Sequence, residues 1–223
     1  MHDGDCWQWV ASRLRASGHA VETPSLPMNE GTTFADHVDV VSELVDAAKE
    51  AVVLVGHSFG GQVVTASCTA LPSKVRALVL LDAVIAERGR SGLDAMLPRW
   101  LVPLVKRRAF LSKSVISASA LGIDDAGRAA WLREHLYSQP IRTISDPFPV
   151  EPHFPEGRTH FLQCTRSVVP FASGGIMAKM SRRARQLGLP VQELAVGHGA
   201  MISHDELIAD VLNDLGMRTT EAP

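Results

Sequence analysis

Ala51-Val52-Val53-Leu54-Val55-Gly56-His57-Ser58-Phe59-Gly60 runs an apolar stretch straight into a G-x-S-x-G pentapeptide, and the reading of the whole chain turns on it. A short apolar run bounded by glycine suits a strand buried on both faces. A serine hydroxyl is a poor nucleophile, so a site that uses one must expose it, set it beside a base and surround it with backbone N–H donors. A sharp strand-to-helix turn does the first and third together, and flanking glycines let the turn close without Cβ clashes. The pattern predicts a helix over residues 60–71, stopped by Pro72. Ser58 is therefore the candidate nucleophile; the alternative is a glycine-rich turn whose serine caps a helix.

Outward from this turn, the elements alternate as a parallel sheet with crossover helices requires, which sets the fold class as α/β. A helix is expected over residues 5–17, a strand over 19–23 leading to Pro24 and Pro27, and a helix over 34–49. Further strands are expected at 75–81, 159–164 and 191–196, with a helix near 171–187 between the last two. Ser203-His204-Asp205-Glu206 opens the final helix as a capping box, Ser203 and Glu206 satisfying each other's free N–H groups. Beyond Asp82 the alternation fails. Leu93, Met96, Leu97, Trp100, Leu101 and Leu104 repeat at helical spacing, a second helical stretch covers 124–136, and prolines 140, 147, 149, 152 and 155 mark the return. Residues 83–158 are thus expected to form a helical cap inserted into a core of 1–82 and 159–223, with Trp100 and Trp131 as candidates for lining a pocket.

Composition bounds the partners. The 223 residues, 46% of them hydrophobic, can fill one sizeable core. A net charge of −2 gives no electrostatic footprint for nucleic acid, and the basic clusters Lys106-Arg107-Arg108 and Arg182-Arg183 read as solvated helix faces. Cys6, Cys68 and Cys164 lack C-x-x-C spacing, so neither a disulfide framework nor a zinc site is indicated. No apolar run approaches a membrane span and no leader pattern opens the chain, so a reduced, cytoplasmic setting is expected without membrane partners. A homodimer is left open.

A nucleophilic serine needs an imidazole, and the imidazole needs an acid to fix its tautomer. Among nine histidines, His198 in Val196-Gly197-His198-Gly199-Ala200-Met201 follows the last expected strand, where a side chain can turn over the sheet's C-terminal edge. His204 reads as surface and His57 points into structure. The loop after 159–164 holds Thr165-Arg166-Ser167 and no carboxylate. Asp82, ending the apolar run Leu78-Val79-Leu80-Leu81, is the candidate acid, since α/β sites lie at that edge and a buried carboxylate needs a partner. It could instead cap the turn into the insertion.

Gly56-His57-Ser58-Phe59-Gly60-Gly61, Gly197-His198-Gly199-Ala200-Met201-Ile202-Ser203 and the cap between them resemble the α/β-hydrolase superfamily, in the branch of plant methyl esterases (salicylate-binding-protein-like) and hydroxynitrile lyases. The resemblance covers nearly the whole chain and implies Ser58 as nucleophile, His198 as base and the Phe59 N–H as an oxyanion donor. It implies hydrolysis of a small, largely apolar ester, thioester or lactone through an acyl-enzyme, with no metal or organic cofactor. The lyases carry lysine after the histidine; Gly199 here tilts the reading toward esterase. The family's acid loop offers only Ser167, so the acid is expected to have moved to Asp82. Met1-His2-Asp3-Gly4-Asp5-Cys6-Trp7 looks like the family's W-H-G-G-like stretch alone, without the preceding strand and its His-Gly pair. The nucleophile's strand is therefore expected to lack a neighbour and the oxyanion hole a second donor, which an upstream start would supply. The competing expectation is a binding protein that keeps the pocket but not the chemistry.

Overall fold

The computed structural model describes residues 2–167 and 175–218. Six strands occur among them: β1 (Val52–His57), β2 (Val75–Leu81), β3 (Phe110–Leu111), β4 (Gln139–Pro140), β5 (Thr159–Cys164) and β6 (Val191–Leu194). Four form a parallel sheet in the order β1-β2-β5-β6, and β3 and β4 make a small antiparallel ribbon within the segment joining β2 to β5. β2 lies between two neighbours, and Leu78, Val79, Leu80 and Leu81 are fully buried. That explains their unbroken apolar run, because strands covered on both faces have no polar side to alternate with.

Side chains leave β2 alternately to two cores. Leu78 and Leu80 pack with helices Phe34–Ala47, Gly60–Ala70 and Ile176–Gln186 on one face. Val79 and Leu81 pack with helices Gln8–Ala16 and Asp205–Arg218 on the other. Helix Phe34–Ala47 lays one apolar stripe on the sheet, as the spacing of Val41 and Val45 illustrates, whereas Gly60–Ala70 is buried all along Gly61 to Cys68. No helix among the described residues is long and apolar enough to cross a membrane.

Several expectations need correction. Residues 19–23 form no strand; Arg15 Nη2 donates to the Val21 carbonyl at 2.5 Å, and the Gly4 N–H donates to Ser25 Oγ at 3.3 Å. The backbone there lies so close to Gly4 that a Cβ would sit 1.9 Å from the Thr23 oxygen. The segment is thus fastened to the N-terminal turn, and β1 has no strand partner on its other side among the described residues. In the insertion, the long helix suggested by residues 93–104 is two short ones, Gly92–Met96 and Val102–Val105. Pro98 cannot donate the hydrogen bond that would join them. The second insertion helix is Ala126–Glu134, capped by Asp125, close to expectation. The start expected near residue 171 lies outside the described residues.

The capping box at Ser203 is not formed. Ser203 ends a short helix, Ala200–Ser203, and its hydroxyl returns to the Gly199 carbonyl at 3.2 Å. Asp205 and Glu206 open the next helix, with Asp205 tied to two arginines instead.

Candidate active site

The register of β1 on β2 pairs His57 with Leu81, so Ser58 and Asp82 each follow directly on a paired residue at the sheet's C-terminal edge. Both are forced out of the extended region, Ser58 with φ 54° and Asp82 with φ 42°, the only non-glycine residues with positive φ among those described. Such conformations cost on the order of 1–3 kcal/mol each and persist only where surrounding contacts over-determine them. Here the Ser58 N–H donates to the Leu81 carbonyl at 3.2 Å, and the Ser58 carbonyl accepts from Gly61 at 3.2 Å and Val84 at 2.9 Å. The Asp82 N–H donates to the Leu162 carbonyl at 2.7 Å.

The turn's glycines divide their work unevenly. A Cβ on Gly56 would lie 2.4 Å from Val64 Cγ2, and one on Gly61 would lie 2.6 Å from the Ala83 Cβ. These two glycines allow strand, turn and helix to close. Gly60, the last glycine of the pentapeptide, faces open space, so the clash argument applies to Gly61 in its place. Phe59 precedes the helix without a side-chain cap, and its N–H makes no hydrogen bond among the described residues, leaving it as a donor at a helix N-terminus. Its ring packs 6.2 Å from Phe34 and reaches the insertion's small core around Leu93 and Ile144.

His198 stands in the loop between β6 and the helix at Ala200. Its Nδ1 meets Asp82 Oδ2 at 2.6 Å, with both side chains buried, while Asp82 Oδ1 accepts the Cys164 N–H at 3.2 Å. Both carboxylate oxygens are thereby satisfied, as a buried charge requires. With Nδ1 donating to the acid, Nε2 is left as the basic nitrogen. No hydrogen bond joins it to the Ser58 hydroxyl in this state, and such contacts often tighten only when substrate binds. The Ser167 hydroxyl, in the loop expected for the acid, is buried without a hydrogen-bond partner among the described residues. Burial, followed by the nearby Asp82 charge, pushes the Cys164 thiol far above its usual range, so it is no competing nucleophile.

The insertion reaches this loop. The Gly199 N–H donates to the Leu121 carbonyl at 2.8 Å, and Gly122, at φ 72°, brings its backbone so close to Gly197 that a Cβ on either would approach the other's Cα within 2.8 Å. Sequence reasoning missed this turn; its signal was a glycine after an apolar residue, too common to single out. Neither Trp100 nor Trp131 lines the two surface grooves beside helix Ile176–Gln186. Trp131 stacks on His135 at 4.1 Å and meets Trp9 edge to face at 4.8 Å, so its faces are taken up by packing. Trp100 is 77% exposed, just past the break at Pro98. Two surface grooves of about 230 and 340 Å³ lie between residues 85–99 and helix Ile176–Gln186, and neither is lined by Ser58, Phe59 or His198. Among the described residues no group of three or more His, Cys, Asp or Glu side chains is placed to hold a metal ion.

Comparison with known proteins gives the same frame. The model of a family described as alpha/beta hydrolase matches residues 1–211. The carbendazim hydrolyzing esterase of Nocardioides sp. (strain SG-4G) is 38% identical over 113 residues, 47% of this chain and 46% of its own length. The chain thus matches about half the length of this curated relative. An extracellular alpha/beta-hydrolase from a Paenibacillus species, described as sharing structural and functional homology with tobacco Salicylic Acid Binding Protein 2, superimposes with TM-score 0.74 at 17% identity, covering 96% of this chain and 94% of that one. A pyrethroid hydrolase from Sphingobium faniae JZ-2 does so with TM-score 0.68 at 21% identity, covering 99% and 95%. These structural likenesses establish a shared fold.

Proposed function

Because the chain belongs to the alpha/beta hydrolase family, we propose that it is a serine hydrolase cleaving a small, largely apolar carboxylic ester through an acyl-enzyme. The observation that carries this reading is the buried Asp82–His198 pair, 2.6 Å apart, with Ser58, held at φ 54°, following the strand that neighbours the one Asp82 ends. In the reaction Ser58 Oγ attacks the acyl carbon as His198 Nε2 takes its proton. Asp82 stabilises the imidazolium and fixes its tautomer. The Phe59 N–H receives the developing oxyanion, a contact of a kind that contributes roughly 3 kcal/mol to the transition state. His198 then returns its proton to the leaving alcohol, and water attacks the acyl-enzyme to release the acid and regenerate Ser58. The esterase name of the Nocardioides relative supports the reaction class, and a thioester or lactone would use the same steps.

The test is covalent labelling. A fluorophosphonate should add one label to the wild-type chain and none to Ser58→Ala, with turnover of a short-chain ester lost in step. Labelling that survives Ser58→Ala would remove the assignment. The reading of a binding protein without chemistry draws on one feature, the side of β1 that no strand among the described residues pairs, where the resemblance in sequence implies a second oxyanion donor. It expects an unlabelled serine in a chain that still binds an apolar ester.

A further inference from the structure

We propose that His57, the first of the two variable residues of the G-x-S-x-G turn, positions the catalytic histidine by gripping its main chain; the proposal rests on the hydrolase reading above. His57 Nε2 lies 2.9 Å from the His198 carbonyl oxygen. A carbonyl can only accept, so Nε2 carries the proton and donates. The N–H of the same peptide unit, that of Gly199, donates to the Leu121 carbonyl at 2.8 Å. One peptide plane is therefore pinned on both sides, by the nucleophile's own turn and by the insertion. Asp82 fixes the far end of the same residue through the ring. His198 is consequently held at ring and backbone, and the reference point of its backbone is the residue bonded to Ser58.

The chemistry of the position explains a histidine. The ring of His57 lies 4.4 Å from that of His198 and 6.3 Å from that of His2. Burial first, then the neighbouring His198 and His2, push its basicity well down, so it stays neutral while His198 acquires a proton. A lysine or arginine here would set a permanent charge against that imidazolium. A leucine would fill the space and leave the His198 carbonyl buried without a donor, which is costly. Only a neutral donor of this reach both satisfies the carbonyl and tolerates the charge, and glutamine is the nearest substitute.

The experiment compares His57→Leu with His57→Gln, counting competent sites by fluorophosphonate titration of Ser58 so that loss of folded protein is not read as loss of rate. Turnover per titrated site should fall about 10- to 100-fold in His57→Leu, the scale of a misplacement near 1 Å, with KM changed by no more than about twofold. His57→Gln should recover turnover to within about threefold of wild type. Wild-type turnover per site in His57→Leu, or equal loss in both variants, would overturn the positioning role alone. A wild-type chain that fails to label would overturn the hydrolase reading together with it. Independently of activity, imidazole nitrogen NMR of the wild-type protein should show His57 neutral and protonated at Nε2 at pH 5; the Nδ1–H tautomer would overturn the proposal.

Discussion

Two buried carboxylates are built alike and bound to different partners. Asp82 at the rim of the sheet meets His198 at 2.6 Å and the Cys164 N–H at 3.2 Å. Asp205, where helices Gln8–Ala16, Ala126–Glu134 and Asp205–Arg218 converge, meets Arg13 Nε and Arg128 Nη1, each at 2.6 Å. Each uses both oxygens, and each ties together residues remote in sequence. The partners differ in one respect. An imidazole can give up its proton near neutral pH, whereas a guanidinium cannot. Around Asp82 the charge balance can change; around Asp205 it is fixed. The first arrangement suits proton transfer, the second a staple.

The sharpest way to break this contrast is Asp82→Asn. Loss of the correct histidine tautomer should lower turnover per titrated serine by about 10⁴-fold while the Cys164 contact and the fold remain. Retained turnover would make Asp82 a second staple. The reciprocal change, Asp205→Asn, should leave turnover within about twofold and lower the melting temperature by about 5 °C, the range expected when charged hydrogen bonds are lost in a domain of this size. Burial raises the Asp205 pKa and the hydrogen bonds from Arg13 and Arg128 lower it more, so the net shift is downward. A depressed folded value means the stabilisation is complete above the ordinary carboxylate pKa of about 4 and is lost as pH falls through the lower folded one. The gap in melting temperature between wild type and Asp205→Asn should accordingly close below about pH 4.

The smallest effect sharpens the contrast within the staple. Arg13 has a side chain 47% exposed, against 27% for Arg128. Arg128 also donates to the Ile202 carbonyl and lies over the Trp9 ring at 5.0 Å. Replacing Arg128 by methionine should lower the melting temperature more than the same change at Arg13, since exposed ion pairs are weakened by solvent and side-chain entropy. Thermal scans of the two variants decide it, and equal shifts would mean that Asp205 is served equally by both.

How much of this was legible in the chain differs by element. The strands at 75–81 and 159–164 and the helix after Ser58 could be read because their apolar period, proline stops and glycine turns all agree locally. The segment 19–23 has strand-like residues, yet strand formation depends on a neighbour that local pattern does not report. Asp82 could be picked out as a polar residue closing an apolar run, whereas the pairing across 116 positions to His198 is a property of the sheet order. The two grips on the His198 peptide, from His57 and Leu121, were beyond reach for the same reason. Main-chain acceptors leave no trace in side-chain identity.

The open side of β1 carries a consequence for the protein in solution. This strand shifts register against β2 at Val52–Val53, but from Val53 to His57 it has no lysine and no proline, two of the devices by which edge strands discourage pairing with other chains. Where that side is left without a strand, edge-to-edge pairing should grow with concentration, because it follows the frequency of encounters between molecules. Ser58 follows the strand without an intervening residue, so whatever settles on that edge, a second copy included, lies next to the residue proposed as nucleophile. Reactivity and state of association would then be read by the same stretch of backbone, and a change in one would register in the other.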